Sequence, residues 1–132
     1  MTGLLLDTTF LIDAERTGDD LDGLVDDSDD VAIAAITIGE LRVGAILATR
    51  RRKATRRAYV EDIIATLPVL AYDLEVAEAH AELLVAVRSQ GKPRGAHDLI
   101  IAATARAFGR TVVSADHSAF RDLPGVDTRT RR

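Results

Sequence analysis

Four acidic residues of this 132-residue chain stand where their chemistry could be shared: Asp7, Glu40, Asp98 and Asp116. Asp7 ends the apolar run Leu4-Leu5-Leu6, and Asp116 follows Thr111-Val112-Val113. Glu40 and Asp98 lie near the starts of two segments with helical apolar spacing. In parallel sheets, ligands bind at the carboxyl ends of the strands, where helix N-termini also point. All four acids are therefore expected at one edge of a sheet. Gathering them is costly, because two carboxylates about 5 Å apart repel by roughly 3 kcal/mol at an effective dielectric near 20. Such a cluster takes up protons or binds a cation. Oxygen ligands in a chain without cysteine select a hard ion, Mg²⁺ or Mn²⁺. That ion would activate water and polarise a phosphoryl oxygen, which is the chemistry of phosphodiester hydrolysis. A bare acidic pocket repels nucleic acid, so activity is expected to vanish without metal.

Each acid also has a plainer role. Asp7 can cap the helix that follows it. Thr37-Ile38-Gly39-Glu40 reads as a capping box, with Glu40 the reciprocal partner of Thr37. Asp98 can complement a helix dipole, and Asp116 can hold a turn. Their joint occurrence favours a shared site. His97 and His117 adjoin these acids and could serve as base or ligand, but near surface helix starts the idle side chain is the favoured reading; His80 is read as structural. Asp13 is read as a solvent-facing or supporting acid. Arg94 suits a phosphate contact or a plain loop equally.

The elements that must position these residues alternate along the chain. Strands are expected at 4–6, 31–36, 69–72, 111–113 and near Val126. The first helix is expected behind Thr8 and Thr9 as caps, and a short second one over Asp20–Val25. The next opens at the Thr37 box and carries Leu41, Ile46 and Leu47. Another holds Tyr59, Val60, Ile63, Ile64 and Leu67 and stops at Pro68. The remaining two are expected over 74–90, closed by Gly91, and over His97–Phe108, closed by Gly109. This alternation makes an α/β fold with a mostly parallel central sheet, one domain over residues 1–132 with a basic tail from about 129.

Composition removes several alternatives. With 47% hydrophobic residues the chain can build a core. Aromatics at 4% and the absence of Trp argue against a module that stacks bases on rings. Having no cysteine, it has no disulfide, thiolate zinc site or cysteine nucleophile. Its apolar runs are too short for a bilayer, and a basic start with a cleavage site is missing, so a cytoplasmic protein without membrane contact is expected. The net charge of −4 hides an asymmetry. Residues 1–30 carry ten acids and one base, Arg16, whereas the remaining 102 carry 16 bases and 11 acids. Arg50, Arg51, Arg52, Lys53, Arg56 and Arg57 form one cluster, read equally as a polyanion contact or as a solvated, helix-stabilising face. The run Asp26, Asp27, Asp29, Asp30 lacks the glycine and glutamate of a calcium loop and reads as a solvated loop.

Four segments together resemble a known family: Leu4–Asp13 (LLLDTTFLID), Ile36–Leu41 (ITIGEL), His97–Ala105 (HDLIIAATA) and Ser114–Phe120 (SADHSAF). In this order and spacing the chain resembles a PIN domain, in particular the VapC-type toxins of bacterial toxin–antitoxin pairs. The resemblance implies a three-layer α/β/α fold and a Mg²⁺- or Mn²⁺-dependent endoribonuclease acting on RNA. It also implies a VapB-like antitoxin as inhibitor, a homodimer and a toxin–antitoxin hetero-oligomer. Metal and catalytic roles pass to Asp7, Glu40, Asp98 and Asp116, with Asp7 and Asp98 foremost. Supporting roles pass to Thr8 and to Ser114, which stands where threonine is more usual. Two other functions remain as alternatives: a non-catalytic binding module of the same fold, and a haloacid-dehalogenase-like phosphatase. The phosphatase needs a second acid where this chain has Thr9.

Overall fold

A computed structural model describes residues 3–18 and 29–130, apart from the side chain of His117. Chain order runs β1 (Gly3–Leu6), α1 (Thr8–Thr17), β2 (Asp30–Ala34), α2 (Ala35–Leu47), α3 (Arg50–Thr66), β3 (Val69–Leu70), α4 (Leu74–Gln90), α5 (Ala96–Ala107), β4 (Thr111–Ser114) and β5 (Thr128–Thr130). A short 3-10 turn over His117–Phe120 lies between β4 and β5. The five strands form one sheet in the order β3-β2-β1-β4-β5, and every pairing is parallel. The expected α/β architecture holds.

Alternation along the strands builds three layers. Leu4 and Leu6 of β1, Ile33 and Val113 point to one face, where Phe10, Leu11, Leu41, Val60 and Ile63 of α1–α3 cover them. Leu5, Ala32, Ala34 and Val112 point to the other, under Val76, Leu83, Val87 and Ile101 of α4 and α5. A sheet covered on both faces needs apolar residues at consecutive positions, which is why β1 reads Leu-Leu-Leu. The chain steps outward from β1 to β2 and β3, then returns to place β4 on the other side of β1. Between β1 and β4 the direction of winding switches, and a crevice opens there at the strands' carboxyl ends. At the opposite end Arg110 latches the sheet, its guanidinium donating to Leu4 O (3.1 Å), Asp30 O (2.7 Å) and Asp30 Oδ2 (3.0 Å).

Several boundaries differ from expectation. Asp7, rather than Thr8 or Thr9, caps α1, accepting from the Phe10 N–H. The strand expected at 31–36 ends at Ala34, and α2 begins at once behind it without a side-chain cap. Thr37 thus lies inside the helix and Glu40 in its second turn, so the Thr37–Glu40 capping box does not form. An unbroken apolar run carries no period to mark where strand gives way to helix. The third strand is only Val69–Leu70, and the last follows Val126 by two residues. Helix 74–90 has the expected bounds, with Asp73 as its cap and Gly91 left-handed at φ 65°. The expected helix over Asp20–Val25, most of the acidic run, and Arg131 and Arg132 lie outside the described residues.

The basic cluster falls at the wrong end of its helix for a stabilising role. Arg50, Arg51, Arg52 and Lys53 open α3, which has no acid in its first turn and no side-chain cap. Cations there oppose the helix dipole. Arg52–Arg56 and Lys53–Arg57 add like charges four residues apart. Burial of Val60 and Ile63 and the Tyr59 hydroxyl, which donates to Leu11 O at 2.7 Å, hold α3 in place. Arg50→Glu is therefore expected to stabilise the protein by about 1 kcal/mol at low ionic strength, measured by urea unfolding. Destabilisation by that exchange would contradict this account of α3.

Candidate active site

Asp7 lies at the carboxyl end of the central strand and is 1% exposed. Its Oδ1 accepts from the Phe10 N–H and the Thr9 hydroxyl, both at 2.9 Å. Its Oδ2 accepts from the Ser114 hydroxyl at 2.8 Å and lies 3.0 Å from Thr9 Oγ1. Ser114 Oγ also lies 3.0 Å from Asp116 O. Ser114 has one proton to give, and the carboxylate is the stronger acceptor. The Asp116 N–H in turn donates to Ser114 Oγ at 2.9 Å, so one serine links Asp7 to the Asp116 backbone. Burial pushes the Asp7 carboxyl above its usual range; bonds from Phe10, Ser114 and Thr9 oppose the rise, and the Asp116 charge adds to it.

Glu40 reaches the same edge from the second turn of α2. Thr8, itself buried, donates to Glu40 Oε1 at 2.6 Å, and His97 Nδ1 lies 3.1 Å from Oε2. Both carboxylate oxygens are thus held, one from α1 and one from α5. Asp116 caps the 3-10 turn, its Oδ1 accepting from the Ser118 N–H (3.2 Å) and hydroxyl (2.8 Å).

Asp98 is different. It sits in the first turn of α5, half-buried, and among the described residues its carboxylate accepts no hydrogen bond. Burial raises its pKa first, and the charges of Asp7, Glu40 and Asp116 raise it further, while His97 lowers it slightly. The charges of the other three sequence-predicted acids thus reach Asp98 at this edge of the sheet. A Cβ on Gly95 would lie 3.1 Å from Asp98 Oδ2, so glycine leaves the space this side chain occupies.

The donor set suits a hard divalent cation. It consists of carboxylates, one of them half-buried and unbonded in the field of three others. Among the described residues no three acid or histidine side chains stand close enough to enclose an ion by themselves. Mg²⁺ keeps several waters when bound, and such a shell needs only part of the cluster.

Two contacts escaped the sequence. Thr9 bonds Asp7, although its position suggested only a helix start. His97, read as idle, touches Glu40 from 57 residues away. Nothing local could reveal that contact; only the apposition of α2 and α5 does. Arg94 spans carbonyls at Lys92 (3.0 Å) and Arg121 (2.7 Å), a loop tie rather than a phosphate contact. His80 meets the Tyr72 hydroxyl at 2.8 Å away from the acids. Asp13 lines a hollow with Thr9, Arg16 and Asp116.

A doubly covered parallel sheet of this topology is shared with proteins of solved structure. The PIN-domain family model matches residues 4–126, and the chain belongs to that family. VapC ribonuclease Y4jK of Sinorhizobium fredii is 35% identical over 99 residues, covering 72% of this chain and 70% of its own. Ribonuclease VapC4 of Mycobacterium tuberculosis is 30% identical over 126 residues, covering 96% and 95%. The structure of DNA-bound VapBC from Salmonella typhimurium matches with a TM-score of 0.88 at 27% identity, over 100% of both chains. Within the PIN family this chain groups with the VapC-type ribonucleases of toxin–antitoxin systems.

The raised carboxyls carry a pH signature. A carboxyl raised by folding stabilises the protein below its folded-state pKa, and that contribution fades as pH climbs through the interval above 3.8. Asp98→Asn removes the repelled charge. Without divalent ions it is expected to melt above the wild type at neutral pH, the difference shrinking toward acid. Scanning calorimetry across pH checks this; an equal or lower melting temperature at neutral pH contradicts the raised pKa.

Proposed function

We propose that the protein is a Mg²⁺- or Mn²⁺-dependent endoribonuclease, the toxin of a toxin–antitoxin pair, cutting RNA in the cytoplasm until a VapB-like antitoxin occupies it. Asp98 carries this reading, because its unbonded carboxylate, repelled by Asp7, Glu40 and Asp116, is relieved by a cation. The names of the relatives, ribonucleases in both cases cited, support the same chemistry. Asp7, Asp98 and Asp116 would hold the ion, with Glu40 beside them. When bound, the ion supplies polarisation of the phosphoryl oxygen and activation of water.

The chain's own residues fix the geometry. Thr9, the Phe10 N–H and Ser114 orient Asp7. Thr8 and His97 orient Glu40. An antitoxin segment finds a surface on α2, which exposes Val43, Ile46 and Leu47 at 54%, 68% and 79%. A second apolar face, with Leu74 and Val85 of α4, suits the homodimer.

Incubating the protein with total RNA, with and without chelator, and mapping new 5′ ends tests the activity. Cleavage is expected only with Mg²⁺ or Mn²⁺, and Asp98→Asn is expected to lower it by more than about a hundredfold. Mn²⁺ should stabilise the wild type by about 2.7 kcal/mol at a hundredfold excess over Kd. Cleavage by the variant at the wild-type rate, or a melting temperature indifferent to millimolar Mn²⁺, overturns the assignment. RNA retained but uncut in Mn²⁺ would mark a binding module instead.

A further inference from the structure

The acidic edge binds a cation but repels the polyanion it is to cut, so RNA affinity must come from elsewhere on the surface. Three hollows run together from that edge. The first, about 250 Å³, is lined by Thr9, Asp13, Arg16 and Asp116, with Ile12 shared onward. Ile12 and Arg16 also line the second, about 330 Å³, between α1 and α3, with Glu15, Arg52 and Arg56. Arg52 and Arg56 also line the third, about 410 Å³, which ends at Gly44 and Leu47 of α2. A row of adjoining hollows therefore leads from Asp116 past three arginines. The Tyr59 hydroxyl bonded to Leu11 O ties α1 to α3. A Cβ on Gly44 would lie 3.8 Å from Arg56 Nη1, so Arg56 lies against α2 in the third hollow.

Arg16, in the last turn of α1, complements that helix's dipole. Among the described residues none of Arg16, Arg52 and Arg56 makes an ion pair. Arg52 stands in the first turn of α3, where its charge opposes the helix dipole, and it faces Arg56 one turn on. Arg52 is thus kept where it weakens its own helix, and an anion outside the protein accounts for that. Arg16 lies eight residues beyond Thr8 on α1, about 12 Å along the helix, or about three to four stacked nucleotides.

We infer that the α1–α3 cleft is the track for the RNA strand flanking the cut, with Arg16, Arg52 and Arg56 as its phosphate contacts. The inference rests on the ribonuclease activity proposed above, yet binding tests it separately. The full-length protein carrying Asp98→Asn binds without cutting, and a fluorescent single-stranded RNA of about twenty nucleotides serves as probe. Fluorescence anisotropy is read against KCl concentration with Mg²⁺ present. Arg52→Ala with Arg56→Ala is expected to weaken binding about tenfold and to flatten the slope of log K against log salt by about 0.7 per arginine removed. Arg16→Ala flattens it by one further step. Arg52→Lys with Arg56→Lys, which keeps the charges, restores the slope.

Arg52→Ala with Arg56→Ala loses a charge opposed to the α3 dipole, so that variant is expected to melt no lower than the parent, which separates lost binding from lost fold. Unchanged affinity and salt slope overturn the track, even where the wild type cleaves RNA and Asp98→Asn does not. Variants that keep RNA but no longer bind a co-expressed antitoxin also overturn it, and make the cleft a protein-docking surface. A wild type that cuts no RNA while the slope still falls as expected removes the nuclease and leaves the track.

Discussion

A carboxylate held almost out of water at the end of the central strand is the constraint on which this molecule depends. Asp7 is 1% exposed, and a charge in such a place must be satisfied or surrendered. Its donors come from two directions. Phe10 and Thr9 belong to the first turn of α1, which exists because Asp7 caps it. Ser114 arrives from β4 because Leu6 pairs with Val113, which sets the next residue of each strand side by side. Shifting that register by one would turn Ser114 to the other face and leave Asp7 short of a donor. Sheet register, helix start and site geometry are thus one requirement.

Around Asp7 the protein tolerates local conflict. Among the described residues Asp98 has no hydrogen-bond donor and is repelled by three acids, and α3 opens with four cations at the end of the helix that disfavours them. Elsewhere local preference and tertiary structure agree, as in α4 with its Asp73 cap, buried stripe and left-handed Gly91. Departures from such agreement are expected where function outweighs stability. Here the two departures have opposite sign.

Legibility in the sequence followed the range of the interactions. Helix α4 could be read to the residue, because its apolar stripe and closing glycine are local signals. Strand ends next to Asp7 and Asp116 were legible for the same reason, and with the parallel-sheet rule they placed the acids at one edge. The junction at Ala34–Ala35 was not legible, because Val31–Ile36 is apolar throughout and fits strand and helix alike. A plausible capping box then drew the helix start toward Thr37. Thr8, read as a cap and, from the resemblance, as a supporting residue, bonds Glu40, and His97 meets the same glutamate across 57 positions. Those contacts depend on how α1, α2 and α5 pack, and packing leaves no trace in a local pattern. The direction of the α3 cluster became interpretable only once Arg50 was seen to be the first residue of its helix.

The bond between Ser114 and Asp7 joins residues 107 positions apart, and Asp116 follows two residues later. During translation the nascent chain therefore carries Asp7 long before its partners exist. Until residue 116 has emerged from the ribosome, no arrangement of the preceding segments can complete the cluster. Topology thus delays assembly of the acidic edge until nearly the last strand has been made.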